Sequence, residues 1–296
     1  MKPTKLDDEK AKKIIERKFE SSPNKARIVQ DIMDLLHSYE PYFESGFVRE
    51  LFDGGDTKFQ QRYWEMVLGL HLSKLSKLSS KPNPDGPDFQ LSLAGRTVQV
   101  EAVAPERTKE INAWYASECA NGGNWFDATP FHLRWTQAIS SKSEKFRNYL
   151  LQNIISPTDV CVIAVNSGLL GSLGFCGHSD YPAVVDVVFA AGPEYCTLDA
   201  ATLKPLESGY RHDPDIEKHS DCLVPKRFFT SAEHSHISAI VASSVTPPVR
   251  DAGLVCVHNP YATNPLPLGS IGAIWEYHTE YEASSNSHVV KLIRYG

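Results

Sequence analysis

The sequence predicts an α/β fold, with a mixed central β-sheet flanked by helices. The first observation is that apolar residues recur at helical spacing through residues 7–52, for example at Ile14, Ile15 and Phe19. The second is that short alternating or fully apolar runs follow, separated by longer amphipathic segments, as in layered strands and helices. The third is a tail rich in short apolar runs between Gly and Pro turns, which favours strands.

These patterns divide the chain into three expected parts. An N-terminal helical extension covers residues 1–55, and Asp53-Gly54-Gly55-Asp56 breaks the chain after it. A core follows over residues 56–168. A β-rich C-terminal part covers residues 169–296, and we expect it to pack on or extend the same sheet.

The core is expected to begin with a long amphipathic helix, with Asp56 as its N-cap. After a Pro- and Gly-rich turn, two strands are expected, DFQLSL and RTVQVEAVA. Ala94-Gly95 joins them, and their period of two with a glycine at the turn indicates a β-hairpin.

Pro105 to Thr129 is expected to be irregular, with an Asn-Gly-Gly-Asn turn at 121–124. A helix is then expected from Pro130 through residue 155, since proline suits the first helical turn. The apolar run DVCVIAVNSG predicts a strand buried on both faces. In the tail, AVVDVVFAAG fits either helix or strand, whereas HISAIVASS, LVCVHN, IGAIWEYH and HVVKLIRYG are typical of strands.

Composition excludes some classes of protein. A hydrophobic content of 42% and a charged content of 22% are typical of a globular domain. The net charge of −6 argues against a non-specific polyanion binder. It does not exclude a nuclease, because carboxylates that bind metal ions contribute to the negative charge. The six cysteines form no C-x-x-C pair, so the sequence does not support a zinc ribbon or a redox motif. No signal peptide or membrane-spanning run is apparent, so a reduced, cytoplasmic protein without membrane contact is expected.

Three acidic residues fall at informative points of the core. Glu65 lies within the first helix, Asp88 starts the first strand, and Glu101 lies near the end of the second. In a hairpin with a short turn, Asp88 and Glu101 should meet at one end of the sheet. Because Mg²⁺ prefers oxygen ligands, two such carboxylates and a third from a packed helix have suitable chemistry for Mg²⁺ or Mn²⁺. The alternative for all three is a solvated polar surface.

This arrangement resembles the PD-(D/E)XK nuclease superfamily, which includes restriction and repair endonucleases. Pro87-Asp88 matches the first half of the motif, Glu101-Ala102 matches the second, and Glu65 matches a helical glutamate beside the metal. The resemblance covers about a third of the chain and implies a restriction-endonuclease-like core. It also implies metal ligation by Asp88, Glu101 and Glu65.

The sequence departs from the motif at the third position, which is Val103 instead of lysine. In the superfamily that lysine is taken to orient water and stabilise developing charge. Some members supply the cation from a neighbouring helix. Arg134, Lys142 and Lys145 share one face of the helix expected there, and Lys142 is the first candidate.

The resemblance thus predicts a divalent-metal-dependent nuclease that hydrolyses DNA phosphodiester bonds, with Glu65, Asp88, Glu101 and Lys142 as catalytic residues. The alternative is a catalytically inactive module of the same fold that binds nucleic acid or a protein. A third reading is a structural α/β protein with surface acids. Whether the chain forms a homodimer is left open.

Overall fold

The computed structural model describes residues 7–121, 127–177, 181–218, 222–249, 251, 253–282 and 287–294. The helices in this part of the chain lie mainly in its first two thirds. They are α1 (Asp8–Lys18), α2 (Lys25–Tyr39), α3 (Phe47–Asp53), α4 (Gly55–Leu75), α5 (Lys109–Asn121), α6 (Thr129–Leu151) and α7 (Ala183–Phe189).

Most strands belong to one central sheet. In chain order the strands are β1 (Ser79–Ser80), β2 (Phe89–Leu93), β3 (Arg96–Val103), β4 (Val160–Asn166), β5 (Ala191–Leu198), β6 (Pro205–His212), β7 (Asp215–Lys218), β8 (Cys222–Pro225), β9 (Ala239–Ser243), β10 (Val255–His258), β11 (Trp275–Glu282) and β12 (Ser287–Arg294). The described residues form an eight-stranded sheet in the order β1-β2-β3-β4-β9-β10-β11-β12, and β5-β6 and β7-β8 are separate two-stranded sheets.

The sheet is mixed, as the sequence predicts. Strands β3, β4 and β9 run parallel, whereas β2 pairs with β3 and β10 with β9 in antiparallel fashion. Every residue of β4 is buried, which confirms the prediction from its apolar run. Strands β9 to β12 continue the sheet that β2 to β4 begin, so the C-terminal strands and the core share one β-structure.

One face of the sheet is covered by α4 and the N-terminal helices. Side chains from α1, α2 and α4 share a buried cluster with the inward residues of β2 and β3. Trp64 of α4 donates its indole N–H to the Ala164 carbonyl of β4 at 3.1 Å, which fixes the helix over the sheet. Gly69 permits this packing, because a Cβ there would lie 2.5 Å from Tyr39 Cε2 and 3.1 Å from Phe89 Cε1.

Helices α6 and α7 cover the opposite face. The buried cluster on this side joins Phe131, Trp135 and Phe146 of α6 with Ile163 and Val165 of β4. Strand β3 is therefore enclosed on both faces at the level of Glu101. A solvated outer face at this level, which the alternating pattern of β3 allows, does not occur.

Three expectations about individual elements are corrected. Residues 109–121 form α5 instead of irregular chain, while most of the expected turn at 121–124 lies outside the described residues. Asp56 is not an N-cap: α4 begins at Gly55, its N-cap is Gly54, and Asp56 lies in the first turn. The ambiguous run after residue 182 forms the helix α7. In the described part of the chain, no helix combines the length and apolarity needed to cross a membrane.

The close approach at Gly69 gives a test of the packing. Gly69→Ala should lower the free energy of unfolding by about 1–3 kcal/mol, because the added methyl collides with rigid rings. Helix propensity alone would favour alanine by about 1 kcal/mol. Urea denaturation measures the difference, and Ser73→Ala, one turn later on α4, is the control. A more stable Gly69→Ala protein would contradict the packing.

Candidate functional site

The register of the β2–β3 hairpin brings Asp88 beside Glu101. Leu93 pairs with Arg96 and Phe89 pairs with Val100, so continuing the ladder places residue 88 opposite residue 101. The two-residue turn suits this register, because Ala94 and Gly95 both have positive φ, as a type I′ turn requires. The expected hairpin and the expected meeting of the two acids are both present.

Glu101 is fully buried, with 0% of its side chain exposed. Its Oε2 accepts hydrogen bonds from Lys142 Nζ at 2.5 Å and from Lys145 Nζ at 3.0 Å. Its Oε1 accepts a hydrogen bond from the Tyr149 hydroxyl at 2.7 Å. All three donors come from α6, where their spacing of three and four residues places them on one face.

The charges of this group are mutually stabilised. Burial by itself would raise the pKa of Glu101, but the ammonium groups of Lys142 and Lys145 outweigh burial and hold it below its usual range. Burial likewise opposes the charge of Lys142, yet the carboxylates of Glu101 and Asp88 raise its pKa. Glu101 and Lys142 are therefore an ion pair, in a place where an uncompensated charge would be costly.

Asp88 lies between this ion pair and the cleft. Its Oδ2 accepts a hydrogen bond from the Ala102 N–H at 2.8 Å and is 4.0 Å from Lys142 Nζ. Its Oδ1 is 3.5 Å from Lys81 Nζ. Burial and then the neighbouring Glu101 carboxylate raise the pKa of Asp88. Because Lys142 contacts both acids, their nearest oxygens are no further apart than the sum of 2.5 Å and 4.0 Å.

Glu65 approaches Asp88 from α4. Its carboxylate is paired with Arg62 and accepts a hydrogen bond from Gln61 Nε2 at 3.1 Å. Burial and then Asp88 raise the pKa of Glu65 to about 7. Gln61 Oε1 also accepts a hydrogen bond from the Ala104 N–H at 2.8 Å, so this side chain links α4 to the end of β3.

Arg62 extends the charged network towards the N-terminal helices. Its guanidinium binds Glu44 at 2.6 Å and Glu50 at 2.8 Å, as well as Glu65. The cation-π contact with Phe47 of α3, 5.1 Å from the ring centroid, further fixes its position. The network thus joins α3 and the segment before it to the first half of α4.

A cleft of about 340 Å³ opens where these groups meet. Both charge signs are present in its lining. The lining residues are Thr57, Lys58, Gln61, Arg62, Glu65, Asp88, Ala104, Glu106 and Lys142. Glu101 lies beneath Lys142 and does not line the cleft.

The predicted residues thus converge, with one exception. Glu65, Asp88, Glu101 and Lys142 form one contiguous group, and Lys145 joins it through Glu101. Arg134 does not, because its Nε donates to the Glu106 carbonyl at 2.6 Å instead. Val103 packs partly buried against the apolar cluster beneath α6.

Three contributing residues were not predicted. Tyr149 follows Lys142 and Lys145 at helical spacing, so the same periodicity could have indicated it. Lys81 lies in the turn before Asp88, where sequence gives no sign of its direction. Arg62 is three residues before Glu65, a spacing typical of a helical ion pair.

No family model, curated protein or solved structure matches this chain.

The two lysines on Glu101 should differ in their effect on stability. Lys142→Met should cost about 3–5 kcal/mol, since it leaves the buried Glu101 carboxylate short of its closest counter-charge. Lys145→Met is the matched control and should cost only about 0–1 kcal/mol, because its ammonium is 44% exposed. Equal costs in chemical denaturation would refute this difference between the two ion pairs.

The raised pKa of Glu65 predicts a pH dependence of stability. Between its ordinary value of 4.5 and about 7, the native state binds more protons than the unfolded state. The free energy of unfolding attributable to Glu65 therefore falls as pH rises through that window. The stability of Glu65→Gln relative to wild type should rise over the same window. Urea denaturation at several pH values measures it, with Glu44→Gln as the control that contacts the same guanidinium.

Proposed function

We propose that the cleft at the end of the β2–β3 hairpin is a divalent-metal-dependent nuclease site acting on DNA. The observation that carries the proposal is the position of Lys142. Its ammonium comes from α6 and lies 2.5 Å from Glu101 and 4.0 Å from Asp88. It thereby supplies the positive charge that Val103 cannot, beside the two acids of the motif.

The residues present fit a hard divalent cation. Asp88 and Glu65 line the cleft and would hold it, because carboxylates are the ligands that Mg²⁺ and Mn²⁺ prefer. Glu101 would join them only by giving up a hydrogen bond from Lys142 or Tyr149. The charge balance supports this choice. Lys142 and Lys145 lower the pKa of Glu101, whereas burial and a neighbouring carboxylate raise the pKa values of Asp88 and Glu65, and a cation between these two would offset their repulsion. When bound, the cation would polarise the phosphate and lower the pKa of a bound water.

The side chains have separable roles in this proposal. Lys142 stabilises negative charge that develops on the phosphate, since it lines the cleft and remains protonated. Glu65 lines the cleft beside Asp88, where it would hold the cation or orient the attacking water. Arg62 and Gln61 hold Glu65 in place.

A second candidate function rests on the same site. Both oxygens of Glu101 already accept hydrogen bonds, and its side chain is fully buried. A carboxylate satisfied in this way suits a catalytically inactive module of this fold that binds nucleic acid or a protein. The nuclease candidate requires Asp88 for cleavage. The inactive module would cleave nothing and would need only its basic residues for binding.

A cleavage assay distinguishes them. Wild type, Asp88→Asn, Glu101→Gln and Lys142→Met are incubated with double-stranded and single-stranded DNA in Mg²⁺ or Mn²⁺. Loss of one charge-stabilising group should slow cleavage by roughly 10²–10³-fold. Arg147→Met is the matched control, because this cation of α6 pairs with Glu144 at 2.8 Å, neither residue lines the cleft, and its removal should leave the rate near wild type.

Circular dichroism confirms that each variant is folded before rates are compared. Cleavage that Asp88→Asn does not slow would rule out the proposed site. Absence of cleavage by wild type, combined with DNA binding by fluorescence anisotropy, would establish the inactive module instead.

A further inference from the structure

A second group of metal-binding side chains lies on β10 and β11, away from the cleft. Cys256 and His258 are two residues apart on β10, so both project from the same face of the sheet. Glu276 is the register partner of Cys256 on the parallel neighbour β11. The pairing of two strands thus brings a thiol, an imidazole and a carboxylate together.

The ligand atoms of this Cys256–His258–Glu276 cluster converge on one point. His258 Nε2 is 3.5 Å from Cys256 Sγ and 2.9 Å from Glu276 Oε2. All three ligand atoms lie within 4.8 Å of one another. Cys256 and Glu276 are fully buried, and His258 is nearly so.

Both close contacts are made by the same imidazole nitrogen. A hydrogen on Nε2 accounts for the 2.9 Å contact with Glu276 and leaves the thiol of Cys256 beside it, with Sγ 3.5 Å away. Without that hydrogen, Nε2 presents a lone pair next to Sγ and Oε2, which is the arrangement that a metal ion requires. The shared nitrogen also excludes a nucleophile-base-acid triad, which requires the two opposite nitrogens of the ring.

We propose that Cys256, His258 and Glu276 bind a zinc-class transition-metal ion. A cation uses the lone pairs of all three atoms at once, and sulfur, nitrogen and oxygen together are donors that zinc accepts. Around a tetrahedral zinc, a sulfur and a nitrogen ligand lie roughly 3.5 Å apart, given bonds of about 2.3 Å and 2.0–2.1 Å. The Sγ–Nε2 separation of 3.5 Å matches this arrangement. The Nε2–Oε2 separation of 2.9 Å is that of a hydrogen bond, and it would widen to roughly 3.4 Å around the ion.

The surroundings orient the carboxylate. The Gly269 N–H donates to both oxygens of Glu276, at 3.1 Å and 3.0 Å, and Gly269 has a φ of 72° that favours glycine. Hydrogen bonds of this kind fix a metal ligand in position. In the described part of the chain no fourth His, Cys, Asp or Glu joins the cluster, so a fourth position is left for water or a small ligand.

This site is separate from the cleft. Strands β4 and β9 lie between β3 and β10, which places the two strands about 14 Å apart at the usual strand spacing. The donors also differ, since the cleft offers only carboxylates for a hard cation. Zinc ligates the thiolate, so binding would release the Cys256 thiol proton to solvent.

Metal analysis of the whole chain tests the proposal. Protein stripped with chelator is re-equilibrated with Zn²⁺ or Co²⁺ and desalted. Wild type should retain one equivalent of zinc by elemental analysis. Its cobalt form should show visible d–d bands of a tetrahedral ion and a near-ultraviolet thiolate-to-cobalt band. Zinc should also raise the Tm, as a ligand of the folded state does.

Matched variants identify the ligands. Cys256→Ser should lose the thiolate-to-cobalt band, and His258→Gln and Glu276→Gln should lose bound zinc. Cys161→Ser is the control, because Cys161 is an equally buried cysteine outside the cluster. Asp88→Asn should keep its zinc, which separates the two sites.

Two results would overturn the proposal. One is a folded wild type that retains neither zinc nor cobalt. The other is a thiolate-to-cobalt band that survives in Cys256→Ser, since the exposed cysteines would then be the ligands.

Discussion

A carboxylate removed from water requires nearby positive charge, and Glu101 imposes this requirement on the fold. Its side chain is fully buried at the end of β3, where an unpaired charge has an effective cost of several kcal/mol. Helix α6 meets the requirement with Lys142, Lys145 and Tyr149 along one face. The rotation of α6 about its axis is thereby tied to the position of a single strand residue.

The same requirement connects the two faces of the sheet. Lys142 contacts both Glu101 and Asp88, and Asp88 raises the pKa of Glu65 on the opposite helix. Arg62 continues the series towards the N-terminal helices. A line of charges therefore runs from α6 across the hairpin end to α4, with Lys142 and Arg62 on either side of the three carboxylates. The two apolar clusters stabilise the packing of the helices on each face of the sheet. The charged contacts fix how α4 and α6 are placed relative to each other at the cleft.

Local features of the site could be predicted from sequence, and features that depend on distant chain segments could not. A two-residue turn between Asp88 and Glu101 makes their proximity a local property, and helical periodicity places Lys142 and Lys145 on one face. The burial of Glu101 was missed because the covering helix lies some forty residues further on. The cluster of Cys256 and Glu276 depends on parallel pairing across a long connection, for which no local pattern exists.

The contacts of Arg62 decide how long a fragment of this chain must be to carry the cleft into another protein. Glu44 and Glu50 precede the motif-bearing segment, yet each shares the guanidinium that holds Glu65. A fragment excised at residue 56 would keep Glu65, Asp88, Glu101 and Lys142 and lose two of the three anions around that guanidinium. The chain segment needed to form this cleft therefore begins before residue 56, and a mutation in α3 can change the electrostatics of the cleft without altering any residue that lines it.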